Sequence, residues 1–415
     1  MKLFKLAIVA LLVAITVSCS TEVDFLEDAD LIITNDEDLL SERLTIEDED
    51  IDIEPMDDEI ESEFAARRNR SFDLRLVASI QSPTVNGQQV QATSASVFTG
   101  GPRAAVSYNF RGEFYAGALD VLQIPSGNNN RLRLRSGVQF TDANAHSVYV
   151  TDDYIWAAHS SLNPELVNEG EFSAARKFTF NGFNLHQNAT GSISMQGFAA
   201  NSVKEFGNRV YITSGDNAGL WVYDIGLSEL IEFFDIPDAR WVDVNETYIA
   251  VLRGGESARI YLYDTDTLEP VAEYPFTGAD TPEAKNTVEL AGNLALIAAG
   301  RSGAHIMDLN DGSILSTIPI PSPASLGLDP AKVETNAVSA DGEYIFISNG
   351  EAGVYVAEAS TALSSFNSGN NLDIQLLGSL MFDDLESVNH VSFRQNHLIV
   401  AAGTGGVKAV RLTRR

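Results

Sequence analysis

The sequence is poor in cysteine: Cys19 stands alone in 415 residues. No disulfide framework can hold this fold, which must rely on its own hydrophobic core. Long apolar runs are missing as well. A spanning helix needs about 20 consecutive apolar residues, and no segment reaches that length. Basic residues are scarce, with 27 Lys and Arg against 58 Asp and Glu, for a net charge of −31. That balance argues against a nucleic-acid partner. The six histidines form no His-x-x-x-His pair, so zinc-ligand spacing is absent. A Gly-x-Ser-x-Gly elbow and a Walker loop are also lacking. The expectation is therefore no metal, no cofactor and no catalysis.

What is present begins at the N-terminus. Lys2 and Lys5 precede an apolar run from Leu6 to Ala14, extended through Val17. About twelve apolar residues is the length of a signal-peptide core. The segment Thr16-Val17-Ser18-Cys19-Ser20 resembles the bacterial lipobox, with Thr16 where leucine is usual. The resemblance implies a lipoprotein signal peptide over 1–18 and lipid attachment, palmitate included, at Cys19. Two or more acyl chains hold a protein stably on a membrane, whereas one does not. The competing reading is an ordinary signal peptide cleaved beside an incidental cysteine.

Between Thr21 and Glu63 stand twenty acidic residues and a single basic one, Arg43. Runs such as Glu47-Asp48-Glu49-Asp50 repel themselves, so residues 19–70 are expected to form a disordered acidic tether. A flexible coil of about 44 residues spans on the order of 35 Å, and self-repulsion would extend it further. Calcium binding is a further reading of the acidic run. Glu22 and Asp24 resemble the surface-export signal of Bacteroidota lipoproteins, and Ser20 after the cysteine resembles outer-membrane sorting. The expected location is the outer membrane, periplasmic or surface-exposed. The cluster Arg67-Arg68-Asn69-Arg70 marks the end of the tether.

From Ser71 to Arg415 one pattern recurs: a β-branched or aromatic run, a glycine hairpin, then a second alternating run. Seven copies end their second runs at Leu122, Phe178, Asp224, Asp264, Asp308, Glu358 and Arg411, at intervals of 40 to 56 residues. The period of two and this spacing suit four-stranded blades. Radial closure leaves only short, protected edges. The fold class is thus all-β, a seven-bladed β-propeller over 71–415 behind a signal peptide and linker. Residues 72–80 read as an outer strand with no blade before them, so they are predicted to complete the last blade.

Gly219-Leu220-Trp221-Val222-Tyr223-Asp224-Ile225 and Val338-Ser339-Ala340-Asp341-Gly342-Glu343-Tyr344-Ile345 resemble the LVIVD-repeat and related YVTN-type bacterial propeller families. That resemblance implies a propeller placed outside the cytoplasm and no common reaction. Asp boxes of the sialidase type and the tryptophan motif of quinone-dependent propeller dehydrogenases are missing.

Propellers commonly bind on the face carrying the loops into their innermost strands. Two residues before the first valine of those strands stand His146, Asn201, Arg240, Asn286, Asn336 and Asn389, in blades two to seven. Blade one departs with a small residue, read as Ala95. These side chains are predicted to crown the channel rim, above valines that pack between blades. Two readings stay open: stitching of blades through local backbone, or contact with a ligand as well. The hairpin tips Asp216-Asn217, Arg253, Glu256, Arg301 and Glu351, and the loop Ser160–Glu171, are placed near the same face.

Three local patterns read better as structure than as chemistry. His390, near Asp383, Asp384 and Glu386, suits a structural donor more than an acid/base. Asp308-Leu309-Asn310-Asp311-Gly312 is one residue short of an EF-hand loop and fits a turn. Asp266-Thr267-Leu268 resembles a short O-glycosylation motif of Bacteroidota. The functional expectation is a lipid-anchored binding or scaffold module for a protein or glycan partner. A propeller hydrolase or lyase and a structural subunit of an envelope complex are the alternatives.

Overall fold

The computed structural model describes residues 31–54, 72–112, 115–126, 131–164, 166–167, 171–215, 218–282, 284–382 and 387–415. Residues 1–30 and 55–71 are outside this set, so the signal peptide, Cys19 and the arginine cluster lie beyond the described residues.

Seven antiparallel sheets form the ring expected of a seven-bladed β-propeller. Blade three is representative. Its strands Ser202–Phe206, Arg209–Thr213, Gly219–Asp224 and Leu230–Asp235 pair in sequence order from the axis outward. The third strands end in aspartates that build the turn to the fourth. Asp224 accepts from the Ser228 and Glu229 amides at 2.7 and 2.6 Å, and Asp264 accepts from Thr267 at 2.8 Å. Asp308 likewise accepts from the Asn310 amide at 3.0 Å, so this segment is a turn between strands.

Seven apolar clusters hold the ring, and each is shared by two adjacent blades. Val148 of blade two packs with Val121 and Val138 of blade one, and Val242 of blade four packs with Leu220 and Val222 of blade three. The inner-strand valines therefore do fill the space between blades.

Closure follows the expected exchange. Phe72–Ile80 pairs with Val407–Arg414, from Phe72 opposite Arg414 to Ile80 opposite Val407, and becomes the fourth strand of blade seven. Gly406 makes the approach possible. It sits at φ 75, and a Cβ there would lie 2.1 Å from the Ile80 carbonyl oxygen.

The acidic segment departs from expectation. Residues 31–54 are not a disordered spacer but a strap on the outside of the ring. Leu31–Thr34 adds a fifth strand to blade one, against Arg133–Phe140. Leu44–Ile51 adds a fifth strand to blade seven, against Phe72–Ile80. Between them a short helix, Glu37–Ser41, is capped by Asp36, and Leu40 is buried. Glu54 and Ser379 then exchange backbone hydrogen bonds at 2.9 Å, which ties the strap to blade six. Blade edges offer unpaired backbone groups to any extended segment. The strap meets them while its carboxylates face solvent, and Arg75 and Arg135 pair with Asp48, Asp50 and Glu37. Among the described residues no helix is long and apolar enough to cross a membrane.

Candidate functional site at the channel mouth

Each innermost strand begins on one face of the ring and runs away from it. The second strand returns, so the loops between second and third strands gather on that face too. A cavity of about 230 Å3 opens there on the axis. His146, Asn201, Arg240, Asn336 and Asn389 line it, together with Thr93, Asn109, Arg111, Asp238 and Lys285.

Local geometry decides which side chains reach the cavity. In blades one, two and four the pairing register shifts across Thr93, His146 and Arg240, so each is a bulge at the start of its strand. A bulge re-aims a side chain that the pleat would otherwise turn aside. Blade one needs correction: Thr93, not Ala95, holds the rim position. Ala92 pairs with Gly403 just as Val388 pairs with Gly350, which places Thr93 in step with Asn389. Ala95 instead takes the valine position, in the cluster between blades seven and one.

Most of the ring stitches blades. Thr93 donates to the Ala145 carbonyl at 3.1 Å, Asn336 to that of Val388 at 3.3 Å, and Asn389 to that of Ala92 at 2.8 Å. Arg240 donates to the carbonyls of Thr281 and Ala284 at 2.8 and 3.2 Å and is held by Asp238 at 3.0 Å. Two members differ: His146 contacts Ser160 of its own blade at 2.9 Å, and Asn201 makes no side-chain hydrogen bond among the described residues.

Asn286 does not line the cavity. It is fully buried, donates to the Ala298 carbonyl at 3.0 Å and has a left-handed backbone with φ 50. That turn puts Lys285 in its place. The residues equivalent to Lys285 in the other blades are Ala92, Ala145, Ala200, Ala239, Thr335 and Val388, all fully buried. Lys285 was legible as the one charge in a small or apolar column, but only once the strands were aligned. Its ammonium crosses the channel to donate to the His146 carbonyl at 2.5 Å and lies 5.3 Å from the Trp241 ring. Burial, then the neighbouring Arg111 charge, pushes Lys285 down to about 7. Burial, then Lys285, pushes His146 down to about 3.

Trp241 and His390 do not line this cavity but a separate one of about 100 Å3. They face each other with ring centroids 5.3 Å apart. His390 Nδ1 accepts from the Ala95 amide at 3.4 Å, the role of a structural histidine. Asp383, Asp384 and Glu386 lie outside the described residues, as do Asp216 and Asn217. Glu351 is engaged by Lys332 at 2.7 Å.

Away from the axis the same face carries a ridge of rings. Tyr115 meets Phe172 edge-on at 6.3 Å, and Phe172 meets Phe198 at 5.8 Å. Phe198 is 62% exposed. A second hollow of about 430 Å3 adjoins Tyr115, lined by Asn86, Gln88, Asp142 and Leu162 among others. Asn144 holds the connecting loop at both ends, accepting from the Phe110 and Ala116 amides at 3.0 and 3.3 Å.

No family model matches this chain, and no curated protein matches it. Among solved structures it is similar to the computationally designed Ika8 protein, with 11% identity and a TM-score of 0.43, over 80% of this chain and 99% of that one. The propeller assignment rests on the pairing of the strands themselves, which makes this chain a seven-bladed ring closed by its own residues 72–80.

Proposed function

We propose that this chain is a lipid-anchored, extracytoplasmic binding module that holds a glycan on its channel face without transforming it. Cys19 is the anchor and the outer membrane the location in this reading, in keeping with the LVIVD-type resemblance of the repeats. One observation carries the choice of ligand: the ridge of rings beside a polar mouth, in which Phe198 stands exposed on the half-buried Tyr115 and Phe172. Sugars present apolar C–H faces and a rim of hydroxyls, so they pair with flat aromatic surface and fixed polar groups at once. A ring that leaves most of its surface in water marks a contact surface rather than a core. The cations at the mouth also speak for binding over glycoside hydrolysis, which uses paired carboxylates.

The test is retention of the purified full chain on immobilised polysaccharides, compared with Phe172→Ala and Phe198→Ala. Wild type should be retained and both variants should lose most of that retention. Retention on no polysaccharide, with a single envelope protein co-purifying from membranes, would replace the glycan by a protein partner.

A further inference from the structure

We infer that the channel mouth is an anion subsite, and that the glycan seated there carries a carboxylate or sulfate held between Lys285 and Arg111. The inference rests on the glycan reading above and narrows it to acidic sugars.

The chain carries a net charge of −31, yet its axial cavity is lined by Arg111, Arg240 and Lys285 with a single described carboxylate, Asp238. Asp238 is spent on Arg240, which also binds two carbonyls and Asn286. The cations left for a ligand are Lys285 and Arg111, neither of which has a carboxylate partner among the described residues.

Lys285 occupies a position that six other blades fill with small or apolar buried residues. Only the left-handed turn at Asn286 delivers it to the cavity. The half-buried Lys285 ammonium has three donors, and the His146 carbonyl takes one of them. Drawing a cation partly out of water without an anion is costly, and an incoming carboxylate or sulfate would satisfy it.

Further polar groups surround the cation. The Asn109 carboxamide oxygen is buried with no hydrogen-bond partner among the described residues, in the lining of the same cavity. It suits a sugar hydroxyl as donor. The loop that supplies Arg111 to the mouth continues to Tyr115 at the outer hollow. A volume of about 230 Å3 is small beside ordinary ligand pockets and fits one acidic sugar unit, with following units lying over the ridge.

The experiment is calorimetric titration of the full chain with polygalacturonate oligomers, a sulfated galactan and a neutral galactan, for wild type, Lys285→Gln and Lys285→Arg. Wild type is expected to bind one or both acidic probes at least ten-fold more tightly than the neutral one. Lys285→Gln should lose about ten-fold on the acidic probe alone, and Lys285→Arg should recover part of it. Preference for the polyuronate or the sulfated galactan identifies the anion. Equal binding of neutral and acidic glycans, or an unchanged ratio in Lys285→Gln, overturns the anion subsite and leaves the glycan reading standing. If no glycan binds, inorganic sulfate decides. A melting-temperature rise with sulfate over chloride, lost in Lys285→Gln, keeps the anion subsite while the glycan reading falls. No such rise overturns both.

Discussion

Arg43 closes a bidentate ion pair on Asp120, with Nη1 3.0 Å from one carboxylate oxygen and Nη2 2.5 Å from the other. The two residues are far apart in the chain and belong to different layers. Arg43 lies in the strap just before its second strand, and Asp120 lies in the third strand of blade one, Gly117–Gln123. Tyr108 donates to the same carboxylate at 2.5 Å, and the Arg43 and Gln81 backbones bond at 2.9 Å. The only basic residue among twenty acidic ones is thus the one that pins the strap to the ring.

Breaking this pair should be costly because Asp120 is fully buried. Arg43→Met leaves a buried carboxylate without its cation and is expected to lower stability by about 3 kcal/mol or more. Arg43→Met with Asp120→Asn should recover part of that loss. Urea unfolding of the four proteins in the cycle measures it, and additive losses would show that the pair contributes no coupling.

Ring closure depends on Gly406. Gly406→Ala places a methyl group against the Ile80 carbonyl and forces a left-handed backbone on alanine. The expected loss is roughly 1–3 kcal/mol. Amide exchange should rise first along Phe72–Ile80 and Val407–Arg414, because the paired strands separate together. Uniform exchange across all blades would argue against a local defect.

Acid should weaken the fold through its buried histidines. Burial pushes His146, His159 and His390 below the ordinary histidine range. Folded, they stay neutral while the unfolded chain takes up protons below about pH 6.5. Stability therefore falls as pH drops from 6.5 toward the folded values, about 3 for His146. His159 packs on Phe140 at 5.8 Å, and neither ring nitrogen has a hydrogen-bond partner among the described residues. His159→Leu should raise stability by about 1 kcal/mol near neutral pH and flatten the acid slope. An unchanged slope in thermal melts from pH 7 to 4 would refute this.

Lys285 gives a dependence on the alkaline side. It titrates near 7 when folded and at 10.5 as a free side chain, so between those values the unfolded chain holds more protons. Stability should rise with pH across that window and level off above it. Arg111, Arg240, Asp238, His146, His390 and Trp241 are the groups facing it. Lys285→Met should remove the rise, which melts between pH 6.5 and 10 would detect.

The anchor is testable apart from the ring. Metabolic labelling with a fatty acid is expected to mark the wild-type protein and to be lost in Cys19→Ala. Label persisting in that variant would remove the lipid from the proposal.

Several features were legible because each depends on residues close in the chain. The second-strand hairpins repeat glycine and β-branched residues, and residues 72–80 showed strand alternation with no blade to serve. The rim column was found from one valine per blade. It misplaced blade one, where the bulge at Thr93 inserts a residue without a composition signal. It also chose Asn286 over Lys285, since a left-handed turn exchanged neighbours that spacing alone cannot separate.

The strap was hidden for a different reason. Its carboxylates repel each other in isolation, and that is all composition can express. Leu40 and Ile53 find cover only in clusters formed by blades one, six and seven. The sequence by itself determined the blade count, the period and the strand that closes the ring, since pleat and turn chemistry act over a few residues. Only the tertiary structure decided that the acidic segment folds, that Arg43 meets Asp120 and that Lys285 faces the axis. Those outcomes depend on backbone edges, charges and cavities that exist only after distant strands have come together.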